Sequence, residues 1–173
     1  EPNIIEVVAK LQAAQKVELI YTLNGKEYVT PKQLLSEIED EVLSHGGRVS
    51  LTDLQPILNV DLTHIERATE RLLAKDPELR LLNGELIAAW YLDGIAEQIH
   101  GSLQQAGKLT VSDLAVEHQL SMDFMSELIG KHLGITITGQ LAQGALYTPA
   151  YVTRHAAQMR GALLALVQPT LLQ

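Results

Sequence analysis

The chain contains two similar stretches, Gly47-Arg48-Val49-Ser50-Leu51-Thr52-Asp53-Leu54 and Gly107-Lys108-Leu109-Thr110-Val111-Ser112-Asp113-Leu114. They lie 60 residues apart and match in residue type at every position. A second motif also recurs. Leu23-Asn24-Gly25-Lys26-Glu27 is followed by Leu82-Asn83-Gly84-Glu85-Leu86 and, more loosely, by 140–145. Self-similarity at a fixed spacing is typical of repeated structural units. The sequence therefore predicts an array of units of about 60 residues.

The first helix of one unit is clearest in residues 31–90. Thr30 followed by Pro31 is an N-cap followed by a preferred first helical residue. Gly46-Gly47 is typical of a helix end. Between them, apolar residues spaced three or four apart predict one buried face: Leu34, Leu35, Ile38 and Val42.

A short strand, two more helices and a hairpin follow this first helix. Residues 48–50 form an extended piece, Ser50 or Thr52 caps a short second helix, and Asp61 caps a third. Asn83-Gly84 suits a tight type I′ turn between two strands. This order is that of a winged helix. We therefore predict a mainly α protein with small β wings, an α+β fold of tandem winged-helix repeats.

The repeat predicts four segments. Residues 1–30 hold a partial winged helix, one helix plus one hairpin, and 31–90 form a first complete winged helix. Residues 91–149 form a second, with helices near 91–105, 112–118 and 121–133 and a wing near 135–148, and 150–173 begin a further unit. A helix with a lone hairpin is marginal and has an open strand edge. Either the next unit or another chain must cover it, and we favour another chain.

Composition restricts the chemistry of the chain. Its 173 residues include 46% hydrophobic residues, carry a net charge of −8 and contain no cysteine. This composition predicts a globular fold, without disulfides, thiolate zinc sites or a cysteine nucleophile. No apolar run approaches the ~18–20 residues of a membrane span. The six histidines lack metal-site spacing, and no nucleophile elbow or phosphate loop occurs, so we predict no catalytic residue, metal or cofactor.

The charge of the third helices argues against DNA binding. A winged helix usually places this helix in the major groove. Here Glu66 and Glu70 alternate with Arg67 and Arg71, and residues 121–133 are no more basic. The acidic run 37–41 indicates either a solvated helix face or, less often, a patch for a basic partner. A tandem winged-helix module for nucleic acid or transcription assembly remains the alternative function.

Several further motifs resemble one family, the ligases of the ubiquitin-fold modifier pathway, or ufmylation ligases. The resemblance covers nearly all of the chain, in order, and places it near the N-terminus of a much longer protein. The matching stretches are Thr22–Pro31, Gly46–Val49, Asp53–Gln55, Asn59–Leu62, His64–Glu66, Arg154-His155 and Arg160-Gly161.

The resemblance implies a scaffold-type ligase without a catalytic cysteine, active as a ubiquitin-like-protein transferase only within a complex. It implies pairing with a DDRGK-domain adaptor, whose partial winged helix completes that of the ligase and which anchors the complex at the cytosolic face of the endoplasmic reticulum membrane. It further implies a third adaptor subunit, the large ribosomal subunit as substrate, no direct contact with nucleic acid, and a presence in cytosol and nucleus. The conjugating enzyme of the ubiquitin-fold modifier is recruited in the family by a helix upstream of this segment, so we expect the segment alone to be inactive.

The resemblance also implies that residues 3–30 meet the adaptor. The apolar or edge contacts that we expect there are Ile4, Ile5, Val8, Leu11, Ile20, Tyr21, Tyr28 and Val29. Ile20→Asp or Val8→Asp is expected to abolish adaptor pairing.

Overall fold

The structure, a computed structural model, describes residues 18–167. This part of the chain has a mixed α+β fold with seven helices and three small antiparallel sheets. It divides into two compact units, unit 1 up to Tyr91 and unit 2 from Leu92. The helix that the sequence predicts before the first hairpin lies outside the described residues.

Unit 1 begins with a short hairpin, β1 (Ile20–Tyr21) and β2 (Tyr28–Val29). The helix, strand, helix, helix and hairpin that the sequence predicts then follow in order. Their bounds are α1 (Pro31–Ser44), β3 (Arg48–Ser50), α2 (Leu51–Leu58), α3 (Leu62–Lys75), β4 (Leu79–Leu82) and β5 (Glu85–Ala88).

Unit 2 repeats this order. Its elements are α4 (Ala89–Ala106, whose first three residues belong to unit 1), β6 (Lys108–Thr110), α5 (Val111–Glu117), α6 (Met122–His132), β7 (Gln140–Ala142) and β8 (Ala145–Tyr147). The helix bounds lie within two residues of those that the sequence predicts. The wing is shorter than predicted, because the chain between α6 and β7 folds into turns closed by the Leu133–Ile137 bridge.

The last helix, α7 (Pro149–Val167), presents most of its side chains to solvent. Met159, Leu163 and Leu164 are each more than half exposed. The corresponding helices α1 and α4 bury one apolar face. That residues 150–173 begin a further unit stays a prediction.

The helix starts follow the capping chemistry expected from the sequence. The side chain of Thr30 accepts a hydrogen bond from Gln33 N–H at the start of α1. Ser50, rather than Thr52, caps α2, and Asp61 caps α3. Each cap satisfies a backbone donor that the first helical turn leaves without an intrahelical partner.

The wings of the two units have the same tight turn. Asn83 and Gly84 have φ values of 50° and 81°, and Gln143 and Gly144 have values of 51° and 71°. Two successive positive φ values are what a type I′ turn requires, so the turn predicted at Asn83-Gly84 is confirmed. The wings are therefore two-residue hairpins.

The core of unit 1 is one cluster of buried apolar side chains. The apolar faces predicted for the helices are buried in it, with Leu34, Ile38, Ile65 and Leu72 fully inaccessible to solvent. The first hairpin contributes Ile20 and Val29 to the same cluster. This hairpin is therefore packed on the helices that follow it within unit 1.

Candidate protein-binding edge

The three sheets differ in the number of strands they contain. In unit 1 the order is β3-β5-β4 and in unit 2 it is β6-β8-β7, so β5 and β8 are central strands. The sheet of the first hairpin has only β1 and β2 within residues 18–167. Strand β2 occupies the position of β5 and β8, directly before a helix, but it lacks a neighbour on its second side there. It is therefore a free strand edge in the described part of the chain.

Two backbone hydrogen bonds mark the third strand in each complete sheet. In unit 1, Ala88 N–H donates to Gly47 O at 2.8 Å and Leu51 N–H donates to Gly84 O at 2.9 Å. In unit 2, Thr148 N–H donates to Gly107 O and Val111 N–H donates to Gly144 O, both at 2.9 Å. The same backbone groups thus hold β3 and β6.

The first hairpin has shorter strands than the other two and a wider loop. Ile20 pairs with Val29 and Tyr21 with Tyr28, as Leu79 does with Ala88 and Arg80 with Ile87. Thr22 N–H donates to Glu27 O at 3.1 Å, which closes a loop of residues 23–26. The Thr22 hydroxyl lies 2.9 Å from the same carbonyl and accepts from Glu27 N–H at 3.1 Å. The side chain of Thr22 replaces the regular strand pairing at this point.

Gly25 holds the position in this hairpin that Gly84 and Gly144 hold in theirs. Its carbonyl oxygen accepts a hydrogen bond of 2.6 Å from the Tyr21 hydroxyl. The equivalent carbonyls of Gly84 and Gly144 accept instead from the residue after the third strand. In the first hairpin, the Tyr21 hydroxyl therefore occupies the glycine carbonyl that in the other two binds the backbone directly after the third strand.

The contact residues expected from the sequence fall into three groups. Ile4, Ile5, Val8 and Leu11 lie outside the described residues. Ile20 and Val29 are only 7% and 6% exposed, and their side chains pack in the core of unit 1. Unit 1 therefore covers these two side chains itself. An edge contact through their backbone stays a prediction.

Tyr21 and Tyr28 are the residues of the two strands that alternate with the buried Ile20 and Val29. Tyr21 is 53% exposed and Tyr28 is half-buried. Their ring centroids lie 4.8 Å apart at an interplanar angle of 54°, a geometry in which aromatic pairs attract each other. The two rings provide an apolar surface on the hairpin, and one of them belongs to the edge strand β2.

The loop of the hairpin is tied to the rest of unit 1. Leu23 N–H donates to Asn59 O at 2.8 Å, in the connection between α2 and α3. Asn59 itself has a left-handed backbone conformation with φ of 55°. Sequence reasoning did not identify Thr22, Leu23 or Asn59 as determinants of the edge. The Asn59-Val60-Asp61 turn was the available signal, but its partner lies far away in sequence.

A groove of about 130 Å³ runs beside β1. Glu18 and Ile20 line one side, and His64, Arg67 and Arg71 of α3 line the other. Arg71 Nη2 lies 3.9 Å from Glu18 Oε1. The charges on α3 are thus mixed, and on α6 Lys131 pairs with Glu127. DNA binding by these helices stays an untested alternative.

In the complete sheet of unit 1, an ion pair also connects the third strand, β3, to the central strand, β5. Arg48 on β3 donates to Glu85 on β5 through Nη2 at 2.6 Å and through Nε at 3.0 Å. Burial by itself would lower the pKa of Arg48, but hydrogen bonds to Glu85 and Tyr91 outweigh that effect and raise the pKa. Within residues 18–167, no group of three or more His, Asp or Glu side chains could hold a metal, and no helix is long and apolar enough to cross a membrane.

Comparison with known proteins gives one consistent result. A sequence model of the family described as E3 UFM1-protein ligase 1 matches residues 1–173. An E3 UFM1-protein ligase 1 homolog of Trichoplax adhaerens is 46% identical to this chain, and the E3 UFM1-protein ligase 1 of Gallus gallus is 44% identical. Both alignments cover 98% of this chain but only 22% of the relative. The chain thus spans about a fifth of the length of these curated relatives.

One solved structure is distantly similar. The mRNA-binding domain of elongation factor SelB from E. coli, in complex with SECIS RNA, aligns with 67% of this chain and 97% of that chain. The TM-score is 0.43 and the sequence identity is 11%. A similarity this low carries no argument about fold or function.

Proposed function

This chain belongs to the E3 UFM1-protein ligase 1 family, and from that premise we propose that it is the part of a ufmylation ligase that pairs with a DDRGK-domain adaptor. The observation that carries the proposal is the free edge of β2. A strand supplied by the adaptor would complete the first sheet as β3 and β6 complete the others. Addition of a strand to an exposed edge is a common mode of protein recognition.

The same proposal assigns the fold to tandem winged helices, the first of them partial. Its support is the order helix, strand, helix, helix and hairpin, which occurs twice in the described part of the chain. The first hairpin precedes these two sets and has no third strand in that part. The adaptor would therefore contribute the front half of a winged helix, and this chain its hairpin.

We further propose that the chain promotes transfer of the ubiquitin-fold modifier without forming a covalent intermediate. The chain contains no cysteine, so no thioester can form on it. Its contribution would be to hold the conjugating enzyme, the adaptor and the substrate lysine close together. Such proximity lowers the entropic cost of reaction between bound groups.

Family membership extends the proposal to the rest of the complex. The adaptor would place the chain at the cytosolic face of the endoplasmic reticulum membrane, and a third subunit would join them. The large ribosomal subunit would be the substrate, and the conjugating enzyme would be recruited chiefly by a segment upstream of this one. This chain alone is expected to be inactive in transfer.

Size-exclusion chromatography with light scattering tests the adaptor contact. We expect a one-to-one complex between the 173-residue chain and the C-terminal domain of the adaptor. Tyr28→Ala removes a half-buried ring on the edge strand and should weaken this complex about tenfold, which corresponds to about 1.4 kcal/mol. Leu81→Ala changes an exposed side chain on the complete sheet of unit 1 and should leave it unchanged.

Ile20→Asp is a poorer test than the sequence suggests, because Ile20 is buried in the core and its replacement would destabilise unit 1 itself. Hydrogen exchange supplies the independent readout. Amides of β2 should gain protection when the adaptor domain is added, whereas those of β5 and β8 should not change. A well-folded chain that ignores the adaptor, with unchanged exchange in β2, would refute the proposal.

A further inference from the structure

Unit 1 has a second surface that the proposed adaptor contact does not use. A pocket of about 340 Å³ lies between the end of α1, the turn after α3 and the start of α4. Val42 and Ala88 are buried at its base. Leu43 and Trp90 form its walls while remaining 63% and 49% exposed. We call this cavity, with its lining residues, the Trp90 pocket.

The indole of Trp90 is held in place on one side. A Cβ atom built on Gly47 would lie only 2.7 Å from Cη2 and Cζ2 of Trp90, so the ring packs directly against the backbone at Gly47. Single exposed apolar side chains are common on protein surfaces, whereas large ones that adjoin across a cavity are typical of an interaction site. Trp90 leaves half of its surface in water, beside a cavity.

The rim of the Trp90 pocket is acidic. Glu39, Asp76 and Glu78 line it, and its lining includes no lysine or arginine. Glu39 Oε1 lies 3.5 Å from Lys75 Nζ, and Asp76 Oδ1 accepts from Glu78 N–H at 2.9 Å. Three carboxylates beside an indole attract cations, through charge and through the face of the ring. Glu39 belongs to the acidic run 37–41 of the sequence.

The fold does not require this arrangement, because unit 2 lacks it. At the 60-residue spacing of the repeat, Thr136 and Thr138 replace Asp76 and Glu78, and Ala150 replaces Trp90. Gly139 replaces Leu79, and the space beside it is filled by Leu103, whose Cδ2 would lie 2.9 Å from a Cβ at Gly139. The acidic rim and the indole are therefore features of unit 1 and not of the repeat.

We propose that the Trp90 pocket binds a basic segment of a partner protein. One large apolar side chain of that segment inserts between Leu43 and Trp90, and lysine or arginine residues beside it face Glu39, Asp76 and Glu78. The carboxylates disfavour an acidic peptide or a nucleic acid at the same place, since like charges repel. The proposal is independent of the adaptor edge, because no residue of the first hairpin lines the pocket.

Tryptophan fluorescence of the 173-residue chain tests the proposal directly, because Trp90 is its one tryptophan. The probe is a synthetic peptide of sequence Lys-Arg-Leu-Phe-Arg-Lys with blocked ends. We expect it to shift the emission of Trp90 to shorter wavelength as water leaves the ring, and to bind less tightly as salt is added. Peptides with serine for the two apolar residues, or with glutamate for the four basic ones, should leave the emission unchanged.

Two matched variants separate the pocket from general attraction to an acidic protein. Glu78→Lys reverses an exposed charge on the rim and should weaken binding of the basic peptide about tenfold, or about 1.4 kcal/mol. Glu70→Lys reverses an exposed charge of α3 that does not line the pocket and should change binding less than twofold. Leu43→Ser removes an exposed wall without altering the fluorophore and should weaken binding as well.

Three outcomes would overturn the proposal. One is the absence of any shift with the basic peptide at millimolar concentration. Another is an equal shift with the acidic peptide. The third is an equal loss of binding in Glu70→Lys and Glu78→Lys. Circular dichroism of each variant confirms that it remains folded.

Discussion

The central strands β5 and β8 each lie between two strands, whereas β2 has one neighbour in the part of the chain that the structure describes. The side chains nevertheless belong to the core, because Ile20 and Val29 are buried, although less completely than most core residues of the two units. Burial of a hairpin face and completion of its sheet are therefore separate events in this fold. In the described part of unit 1, the hairpin face is buried but the sheet has no third strand, so one edge of β2 is unpaired there.

The largest expected difference between the complete and the incomplete sheet is in how much stability is lost when a buried side chain is truncated to alanine. Leu86 is fully buried on β5 and pairs with Val49 and Leu81 on either side. Leu86→Ala should lower the free energy of unfolding by about 4 kcal/mol, and Ile20→Ala, beside a single strand, by about 2 kcal/mol. Urea denaturation measures both, and equal losses would mean that the missing strand does not loosen the first hairpin.

A smaller effect is expected at the glycine before the third strand. Gly47 has φ of 94° and packs against Trp90, and Gly107 of unit 2 has φ of 77° with a Cβ position 2.9 Å from Tyr151 Cδ2. Gly47→Ala should cost about 2–3 kcal/mol, because it combines an unfavourable backbone conformation with a steric clash. Gly46 has φ of 72°, and a Cβ there would meet open space. Gly46→Ala should therefore lower the free energy of unfolding by only about 1 kcal/mol.

Thermal unfolding of the two glycine variants distinguishes these contributions. A Gly46→Ala protein that is destabilised as much as Gly47→Ala would show that backbone conformation alone matters. The start of a third strand would then not depend on the aromatic ring packed against it.

The smallest expected effect is a difference between the two units in how their stability depends on pH. Asp61 caps α3, and Ser121 caps α6 at the same position of the repeat. Hydrogen bonds from the Thr63 hydroxyl and backbone N–H lower the pKa of Asp61 below its ordinary value of 3.8. Because the pKa in the folded state is lower than in the unfolded state, the ionised cap stabilises unit 1 above that ordinary value. This contribution is lost as the pH falls through the lowered pKa.

Asp61→Ser tests this difference, because it gives unit 1 the cap of unit 2. The melting temperature of the variant should fall less between neutral and acidic pH than that of the unaltered chain. Ser121→Ala, which removes a neutral cap, should lower the melting temperature equally at every pH. An acid dependence unchanged by Asp61→Ser would show that the cap carries none of it.

Local signals in the sequence predicted most of the element order. Thr30, Ser50 and Asp61 each precede a helix, and cap chemistry depends only on residues within one helical turn. Asn83-Gly84 predicted a tight turn for the same reason, because φ preference is a property of the residues themselves. The 60-residue repeat then predicted the same elements in unit 2.

Contacts beyond a residue's immediate neighbours account for what the sequence did not predict. Asn24-Gly25 has the composition of a two-residue turn, yet the Thr22 side chain binds the backbone of Glu27 and opens the loop to residues 23–26. The burial of Ile20 and Val29 depends on a core gathered from helices up to 50 residues away. The Trp90 pocket depends on Gly47 and Trp90, which no local pattern connects.

The shortness of the first hairpin also bears on aggregation. Long exposed strand edges allow identical chains to pair with one another. Strands β1 and β2 contain two residues each, and the Tyr21 hydroxyl already satisfies the Gly25 carbonyl. A second copy of the chain would gain few backbone hydrogen bonds at this edge, and it would have to displace one that exists. We therefore expect weak self-association through β2, which would leave the proposed edge available to a partner that brings further contacts.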